Sequence, residues 1–320
     1  MSDNRQLLTD MAEGLFAELE GAEFATAWPR LAEAGFATLL VPEDQGGFGG
    51  DWGDLYALLK LAGRHALPST LGETIVAHKV LADAGVAAPE GPIGLLDGSR
   101  VAFGRDCAAV LAGHGRLRLY PREAITWDEA TSPDGRPRDH AAFGGEPPAA
   151  FASNADLPAK GAFVRVAMAA GAFEAGFDLA IEHVNTRVQF GRPLGKFQAV
   201  QQTLAEASAE IAAVLAAGQA AGAAFDAGDA SFEVAAAKFR LNRAIDVAVP
   251  ILHRVHGAIG FTMEYPLNRH TRALMGWRGE FGNDAFWARR LGERVARGGG
   301  KALWREITAR GDAMSGADPA

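Results

Sequence analysis

The sequence predicts a mainly α-helical protein with a small β segment between two helical parts. Apolar residues recur at helical spacing near the N-terminus, whereas a stretch near the middle holds short runs separated by Gly and Pro. The remaining chain returns to long alanine-rich segments that are typical of a helical bundle. The predicted parts are a helical domain at 1–90, a truncated β domain at 91–158, a helical bundle at 159–312 and a tail at 313–320.

Composition and charge exclude several classes of protein. A chain of 320 residues is long enough for more than one domain, and its formal charge of −8, without a run of Lys or Arg, disfavours nucleic-acid binding. A single cysteine, Cys107, leaves no internal disulfide or CxxC zinc spacing, and is expected to be a small buried residue. The first residues lack the apolar core of a signal peptide, and we expect no membrane span. We therefore expect a cytoplasmic protein with no membrane partner.

The N-terminal part is predicted to hold two short helices before a glycine-rich loop. The second helix carries Trp28 and Leu31, and Gly35 is expected to end it. The loop at 41–50 must be irregular because it contains a proline and four glycines. The apolar positions that predict the first helix are Leu7, Leu8, Met11, Leu15 and Phe16.

A third helix is expected directly after the glycine-rich loop. Asp51 or Asp54 can cap its N-terminus. The loop lacks the preceding strand and the following Lys-Ser/Thr pair of a phosphate-binding loop, so we read it as structural. The apolar face of this helix is predicted to run through Leu55, Leu58, Leu59 and Ala62.

The β segment contains two short strand candidates, 108–112 and 116–120, with a Gly-His-Gly hairpin turn at 113–115 between them. The alanine-rich part that follows predicts four helical segments, with Pro250 expected to kink or divide the third. Val200, Leu204, Ile211 and Leu215 mark one apolar face of the second segment. The four segments cover roughly 160–185, 198–226, 232–260 and 283–312.

A polar turn between the first two segments of this bundle is the strongest functional candidate. It reads Arg187-Val-Gln-Phe-Gly-Arg-Pro-Leu-Gly-Lys-Phe-Gln198. A link between helices needs only a helix-stopping Gly or Pro, but this turn also gathers cations and amides around two aromatic rings. Such donors near the start of a helix suit an anion with a flat ring attached, such as a nucleotide pyrophosphate. The alternative is a solvated connecting turn.

A second candidate stretch runs from Arg254 to Pro266. Its Gly257 and Ala258 are small, which lets a backbone approach a bulky ligand closely. His253 and His256 have a spacing that can serve a metal, but no Glu-x-x-His partner is evident, so we predict no metal site.

The two candidate stretches resemble signature elements of the acyl-CoA dehydrogenase family in order and spacing. The second stretch is similar to the family's Gln-x-x-Gly-Gly-x-Gly-Phe, and the region from Trp28 through the 41–50 loop resembles the family's N-terminal helical domain. The first matches Arg187-x-Gln189-Phe190-Gly191-x-Pro193-Leu194-x-x-Phe197-Gln198. The resemblance implies contact with the ADP half of a neighbouring subunit's FAD by Arg187, Gln189, Phe190, Gln198, Arg254, Gly257 and Ala258.

The chain departs from the family pattern at the β segment and at the catalytic base. It lacks a Thr-Glu-Pro…Gly-Ser-Asp stretch, which in the family holds the flavin ring and the thioester. The family's reaction needs a carboxylate to take the α proton of an acyl-CoA. An ungapped count places Phe281 at that position, with Glu280 before it and Asn283 replacing a threonine that contacts the flavin's ribityl chain. The family's alternative base position aligns with Val164, ahead of Arg165.

Glu280 is therefore the candidate base if the loop shifts by one residue, and otherwise an exposed loop carboxylate. Because a helical or turn residue rotates the side-chain direction by ~100°, an unshifted Glu280 points away from the Phe281 position. Glu264 is expected to be structural and to pair with Arg269 or Arg272.

The resemblance implies a shortened subunit of a heteromeric α2β2 acyl-CoA dehydrogenase, of the kind that acts on bulky sterol side-chain CoA thioesters in lipid degradation by β-oxidation. The chain is expected to give its ADP-binding turn to FAD on a full-length partner, with an electron-transfer flavoprotein as acceptor. Two alternatives stay open: a self-sufficient homo-oligomer that uses Glu280, and a flavin-free scaffold or regulatory paralogue.

Overall fold

The computed structural model describes residues 3–144 and 149–315. Four helices form the N-terminal part, seven strands the middle and six helices the C-terminal part of these residues, which confirms the predicted fold class. The N-terminal helices are α1 (Asp3–Glu18), α2 (Phe24–Glu33), α3 (Trp52–Arg64) and α4 (Leu71–Asp83). The C-terminal helices are α5 (Leu157–Thr186), α6 (Gln198–Asp226), α7 (Ser231–His256), α8 (Leu267–Arg278), α9 (Asp284–Gly298) and α10 (Gly300–Ser315).

The start of α3 shows how local sequence fixes an element. The Asp51 carboxylate accepts a hydrogen bond from the Asp54 amide at 2.6 Å, and the Asp54 carboxylate accepts one from the Asp51 amide at 3.1 Å. This reciprocal capping box satisfies donors that a helix start otherwise leaves open. The predicted apolar face of α3 is fully buried, and Gly35 follows α2 in the left-handed conformation, as predicted.

The predicted apolar face of α1 is only half right. Phe16 is fully buried, but Leu7 is 71% exposed and Met11 is 49% exposed. Ala12 is buried instead, and so is Leu19, one residue beyond the end of the helix. α1 packs on α3, and an alanine such as Ala12 carries no strong hydrophobic signal in the sequence.

The middle part consists of two small sheets. One has the strand order β1 (Ile93–Leu95), β3 (Ala109–His114), β4 (Arg116–Pro121), β7 (Ala149–Ala152); the other has the order β2 (Arg100–Ala102), β6 (Arg138–Phe143), β5 (Ile125–Asp128). β3 pairs with β4 with His114 opposite Arg116, so the hairpin predicted at this Gly-His-Gly sequence forms. Cys107 is fully buried, as expected.

Several C-terminal boundaries differ from the prediction. The third predicted segment ends at His256, and Pro250 lies inside α7 without dividing it. The segment predicted at 283–312 is two helices, because Gly299 adopts a positive φ of 75° between them. α8 was not predicted. α10 continues to Ser315, past the start of the predicted tail; the rest of that tail, 316–320, lies outside the described residues.

Helix α6 corrects the expectation that no segment is apolar enough to span a membrane. By length and composition alone it is, and only 33% of its most apolar window is buried in this chain. In the fold it packs against α7, α5 and α3 as one helix of the C-terminal bundle. Its apolar character therefore serves helix packing, and its outward side is rich in exposed alanine.

Two glycines allow α3 and α5 to cross closely. A Cβ on Gly171 of α5 would lie 1.7 Å from the Lys60 carbonyl oxygen, and one on Gly63 of α3 would lie 1.8 Å from the Met168 carbonyl oxygen. Both obstacles are helix backbone, which cannot yield as a side chain can. The crossing joins the N-terminal part to the bundle.

We predict that Gly171→Ala lowers the free energy of unfolding by about 2 kcal/mol or more, because the helices must separate. The matched control is Gly14→Ala in α1, where nothing lies within 4 Å of the added carbon and alanine favours the helix. Urea unfolding measures both. Equal stability of the two variants would contradict the close crossing.

Candidate functional site

The polar turn between α5 and α6 is a small hairpin at the protein surface. Strands β8 (Val188–Gln189) and β9 (Arg192–Pro193) pair, with Gln189 opposite Arg192. The two tip residues, Phe190 and Gly191, have φ values of 53° and 80°, as a two-residue turn with the twist of a hairpin requires. A bulky residue in this conformation costs about 1 kcal/mol. Phe190 is nevertheless held there and is 90% exposed.

The cations of this turn have no carboxylate partner. Among residues 3–144 and 149–315, no ion pair involves Arg187, Arg192 or Lys196, whereas most other arginines of the chain are paired. The Arg192 guanidinium instead lies 4.1 Å from the centroid of the Phe197 ring. Gln189 and Gln198 are also exposed. These side chains are therefore available to an anionic ligand.

The second candidate stretch is open at the same positions that the sequence singled out. α7 ends at His256, and Gly257 adopts φ 66° and ψ −143°, a region essentially restricted to glycine. Nothing lies within 4 Å of a Cβ at Gly257. Ala258 and Arg254 are exposed, and Arg254 has no ion-pair partner among the described residues. A ligand can thus approach this backbone directly.

The two stretches lie at one end of the bundle. The rings of His183 on α5 and His256 on α7 are 4.8 Å apart, centroid to centroid. Beneath them, Leu194 of the turn and Val255 of the second stretch pack on one small apolar cluster with Leu252. The fold therefore places the two stretches, which the sequence analysis assigned to one ligand, at the same end of the bundle.

The chemistry of this end fits the ADP half of FAD. It offers unpaired cations, an exposed aromatic ring and a backbone without bulky side chains. The N-terminus of α6 follows the turn, and no side chain caps it, so its free amides favour a phosphate. Arg187, Gln189, Phe190, Gln198, Arg254, Gly257 and Ala258 are the residues that would hold it.

The catalytic candidate Glu280 has a different environment. It lies between α8 and α9 and is buried, so the reading as an exposed loop carboxylate is wrong. Its Oε2 accepts hydrogen bonds from Arg165 Nε at 2.5 Å and lies 3.0 Å from Arg138 Nη1. Arg165 also pairs with Glu73 of α4. Glu280 is thus part of a buried ionic network.

The two arginines keep Glu280 ionised. Burial raises the pKa of the Glu280 carboxyl. The positive charges of Arg165 and Arg138 lower this pKa by more than burial raises it, so it lies below its usual value. A base beside a thioester must be free to take a proton. Glu280 is instead held by two cations, and the adjoining cavity of about 20 Å³ has room for about one water molecule.

Phe281 occupies the position at which the family pattern would place the catalytic base. Its ring packs on α5, where a Cβ on Gly161 would come within 2.3 Å of it. Its backbone is held in a left-handed conformation, φ 51°, by hydrogen bonds of its N–H to Asp97 and its carbonyl to Trp287. A carboxylate is absent from this position, and an aromatic ring fills it.

The neighbouring residues have structural roles. The Asn283 side chain caps α9 by accepting a hydrogen bond from the Phe286 amide at 3.0 Å. Glu264 does not pair with Arg269, which pairs with Glu20, or with Arg272, which donates to the Pro133 carbonyl. Within the described part of the chain, no group of three or more His, Cys, Asp or Glu residues could hold a metal.

The sequence analysis missed the ionic network because its members lie far apart in the chain. Arg165 and Glu280 are 115 positions apart. The available signal was Arg165 itself, a charged residue inside the most apolar stretch of α5, where a buried cation needs a partner. Nothing in the local sequence identified Glu73 or Arg138 as that partner.

Comparison with known proteins agrees with the resemblance. Residues 159–296 match the family model described as acyl-CoA dehydrogenase, C-terminal domain. Acyl-CoA dehydrogenase IpdE2 of Mycobacterium tuberculosis is 27% identical over 300 residues, covering 86% of this chain and 92% of the relative. Acyl-CoA dehydrogenase FadE34 of the same organism is 30% identical over 318 residues, covering 88% of this chain and 44% of the relative.

Solved structures share the fold over most of the chain. The ChsE4–ChsE5 complex from Mycobacterium tuberculosis superposes with a TM-score of 0.82 at 21% identity, over 92% of this chain and 98% of the other. The Tcur3481–Tcur3483 steroid acyl-CoA dehydrogenase gives a TM-score of 0.81 at 24% identity, over 92% and 98%. These findings place the chain in an oxidoreductase class that normally binds FAD. It belongs to the acyl-CoA dehydrogenase family.

We predict that Glu280→Gln destabilises the chain by about 3 kcal/mol, because it leaves two buried arginines short of a counter-charge. The matched control is Glu264→Gln, which changes an exposed carboxylate with no ion pair among the described residues and should cost less than about 0.5 kcal/mol. Urea unfolding of both variants tests this. A stable Glu280→Gln protein would show that the network does not hold Glu280 in place.

Proposed function

We propose that this chain is a subunit of a heteromeric acyl-CoA dehydrogenase that binds FAD and lacks the catalytic base. One contrast carries the proposal. The ADP-binding end is exposed and its cations are unpaired, whereas Phe281 occupies the position of the base and Glu280 beside it is buried in an ion pair with Arg165. A self-sufficient enzyme needs both an accessible ADP-binding end and a free catalytic base. In this chain only the ADP-binding end is accessible.

In this proposal the chain's own residues bind and orient the cofactor. FAD, when bound, supplies the oxidising group for removal of hydrogen from the acyl chain. Arg187 and Arg254 offset the charge of its pyrophosphate, Phe190 offers a ring face to the adenine, and Gly257 and Ala258 admit the backbone close to the ligand. The α-proton base and the flavin-ring contacts come from the partner.

Exposed apolar surface supports association with a partner. Around the two stretches, Val188, Phe190, Ile259, Phe261 and Met263 are all exposed, and contiguous apolar surface is a common mark of a protein contact. The outer side of α6 adds further uncharged surface through the exposed residues Ala205, Ala209, Ala212, Ala216 and Ala223.

The proposed substrate is a bulky acyl-CoA thioester with a sterol-like side chain, and the proposed process is steroid degradation. Support comes from the similar solved structures. One of them is described as a steroid acyl-CoA dehydrogenase and another as a complex of two proteins. An electron-transfer flavoprotein as the electron acceptor and a cytoplasmic location belong to the same proposal.

Co-expression with a full-length acyl-CoA dehydrogenase subunit tests the proposal. We expect a yellow complex that oxidises acyl-CoA, whereas this chain alone purifies colourless and inactive. A yellow and active preparation of this chain alone would overturn the proposal in favour of a homo-oligomeric enzyme. A colourless complex with the partner would favour a scaffold.

Within that complex, we predict that Arg187→Ala weakens FAD binding about tenfold or more, because a charge-assisted hydrogen bond to a phosphate is lost. Flavin released on dilution is measured by fluorescence. Arg297→Ala is the control, since Arg297 is exposed on α9 with no ion pair among the described residues. Equal flavin retention in both variants would remove Arg187 from the site.

A further inference from the structure

Lys160 occupies an unusual place at the start of α5. It lies in the first turn of the helix, whose N-terminus is capped by the Asp156 carboxylate. Its ammonium lies 4.2 Å from the centroid of the Trp52 ring and 4.9 Å from that of the Phe225 ring. These rings stack on each other at 4.1 Å. Three helix ends therefore meet around one lysine.

The ammonium of Lys160 has no anionic partner. Among residues 3–144 and 149–315, no carboxylate lies within 4 Å of Lys160 Nζ and no oxygen accepts a hydrogen bond from it, whereas Lys60 and Lys79 are each paired. The closest carboxylates are engaged elsewhere. Asp83 pairs with Lys79, and Asp156 accepts from Ala159 and Arg290.

Burial shifts the side chain of Lys160 toward the neutral amine. Burial lowers the pKa of Lys160 to about 8; Asp83 and Asp156 oppose the shift and Lys79 adds to it. A lysine activated by desolvation in this way is the usual form of a nucleophilic lysine. At pH 7.5 a pKa near 8 leaves about a quarter of Lys160 unprotonated, far more than of an ordinary lysine.

Lys160 is also reachable. Two open clefts of about 440 and 400 Å³ flank it, one beside β7 and α4 and the other beside the end of α6. Both are lined by Asp83, Asn154, Ala155 and Lys160. Either cleft has room for a short acyl group. The site lies apart from the ADP-binding stretches, which are at the opposite ends of α5 and α6.

We propose that Lys160 is a modification site at which acyl-CoA thioesters acylate Nζ. The neutral amine attacks the thioester carbonyl, an amide N–C bond forms, the C–S bond breaks, and coenzyme A leaves as the thiol with the proton from nitrogen. No oxidant or further reactant is needed. Acylation replaces an ammonium that faces two aromatic rings by a neutral amide.

The acyl donor is the substrate class of the proposed function, but the chemistry needs neither flavin nor partner. The two proposals can therefore fail separately. Acylation of Lys160 together with a colourless, inactive complex overturns only the proposed function, and a yellow, active complex without the adduct overturns only this one.

The test is acylation of the purified full chain by acetyl-CoA, quantified lysine by lysine through peptide mass spectrometry. Lys79 is the internal control, because it lines one of the same clefts but is paired with Asp83. We expect Lys160 to react about tenfold faster than Lys79 at pH 7.5, since its neutral fraction is larger. We also expect its rate to level off above pH 8.5, whereas an ordinary lysine keeps accelerating.

Four results distinguish a site built by the fold from general lysine reactivity. Denaturing urea should abolish the preference for Lys160, and Lys160→Arg should remove that adduct and leave modification of Lys79 and Lys301 unchanged. Acylation of Lys160 no faster than that of Lys301, which is exposed on α10, would overturn the proposal. A Lys160 rate that rises tenfold per pH unit up to pH 10 would overturn it too.

Discussion

The buried charge of Arg165 is the constraint on which the rest of the structure depends. α5 runs through the centre of the molecule, and its middle is buried on all sides. A guanidinium there is tolerated only if carboxylates compensate it. Glu73 comes from the N-terminal part and Glu280 from the loop after α8; Arg138 then links Glu280 to the β part, where Asp97 is its second partner. One charge therefore ties together all three parts of the chain.

This network also shapes the function that we propose. It fixes the 279–283 loop, with help from Lys238, whose ammonium donates to the carbonyls of Trp277 and Arg278 at 3.0 and 2.9 Å. Phe281 then has to pack on Gly161, and its ring occupies the position that the family pattern assigns to the base. The proposed ADP-binding stretches lie at the other end of α5, where Arg187 and Arg192 have no ion pair among the described residues.

Much of this architecture could be predicted from local sequence. The Asp51 capping box, the 113–115 hairpin and the 187–198 turn depend on residues a few positions apart, so their patterns are legible in the chain. α8 was not predicted because its composition is polar and its buried face includes Asn268, His270 and Thr271, whose burial is set by the helices on which it packs. Glu280 was misjudged for the same reason: its burial depends on an arginine 115 positions away.

The central claim is that this chain contributes half of a flavin site whose other half belongs to a different subunit. Native mass spectrometry of the complex, co-expressed with a full-length acyl-CoA dehydrogenase subunit, tests it most directly by counting chains and flavins together. The account predicts equal numbers of the two chains and one FAD for each pair. A homo-oligomer of this chain that carries one FAD per chain would contradict it.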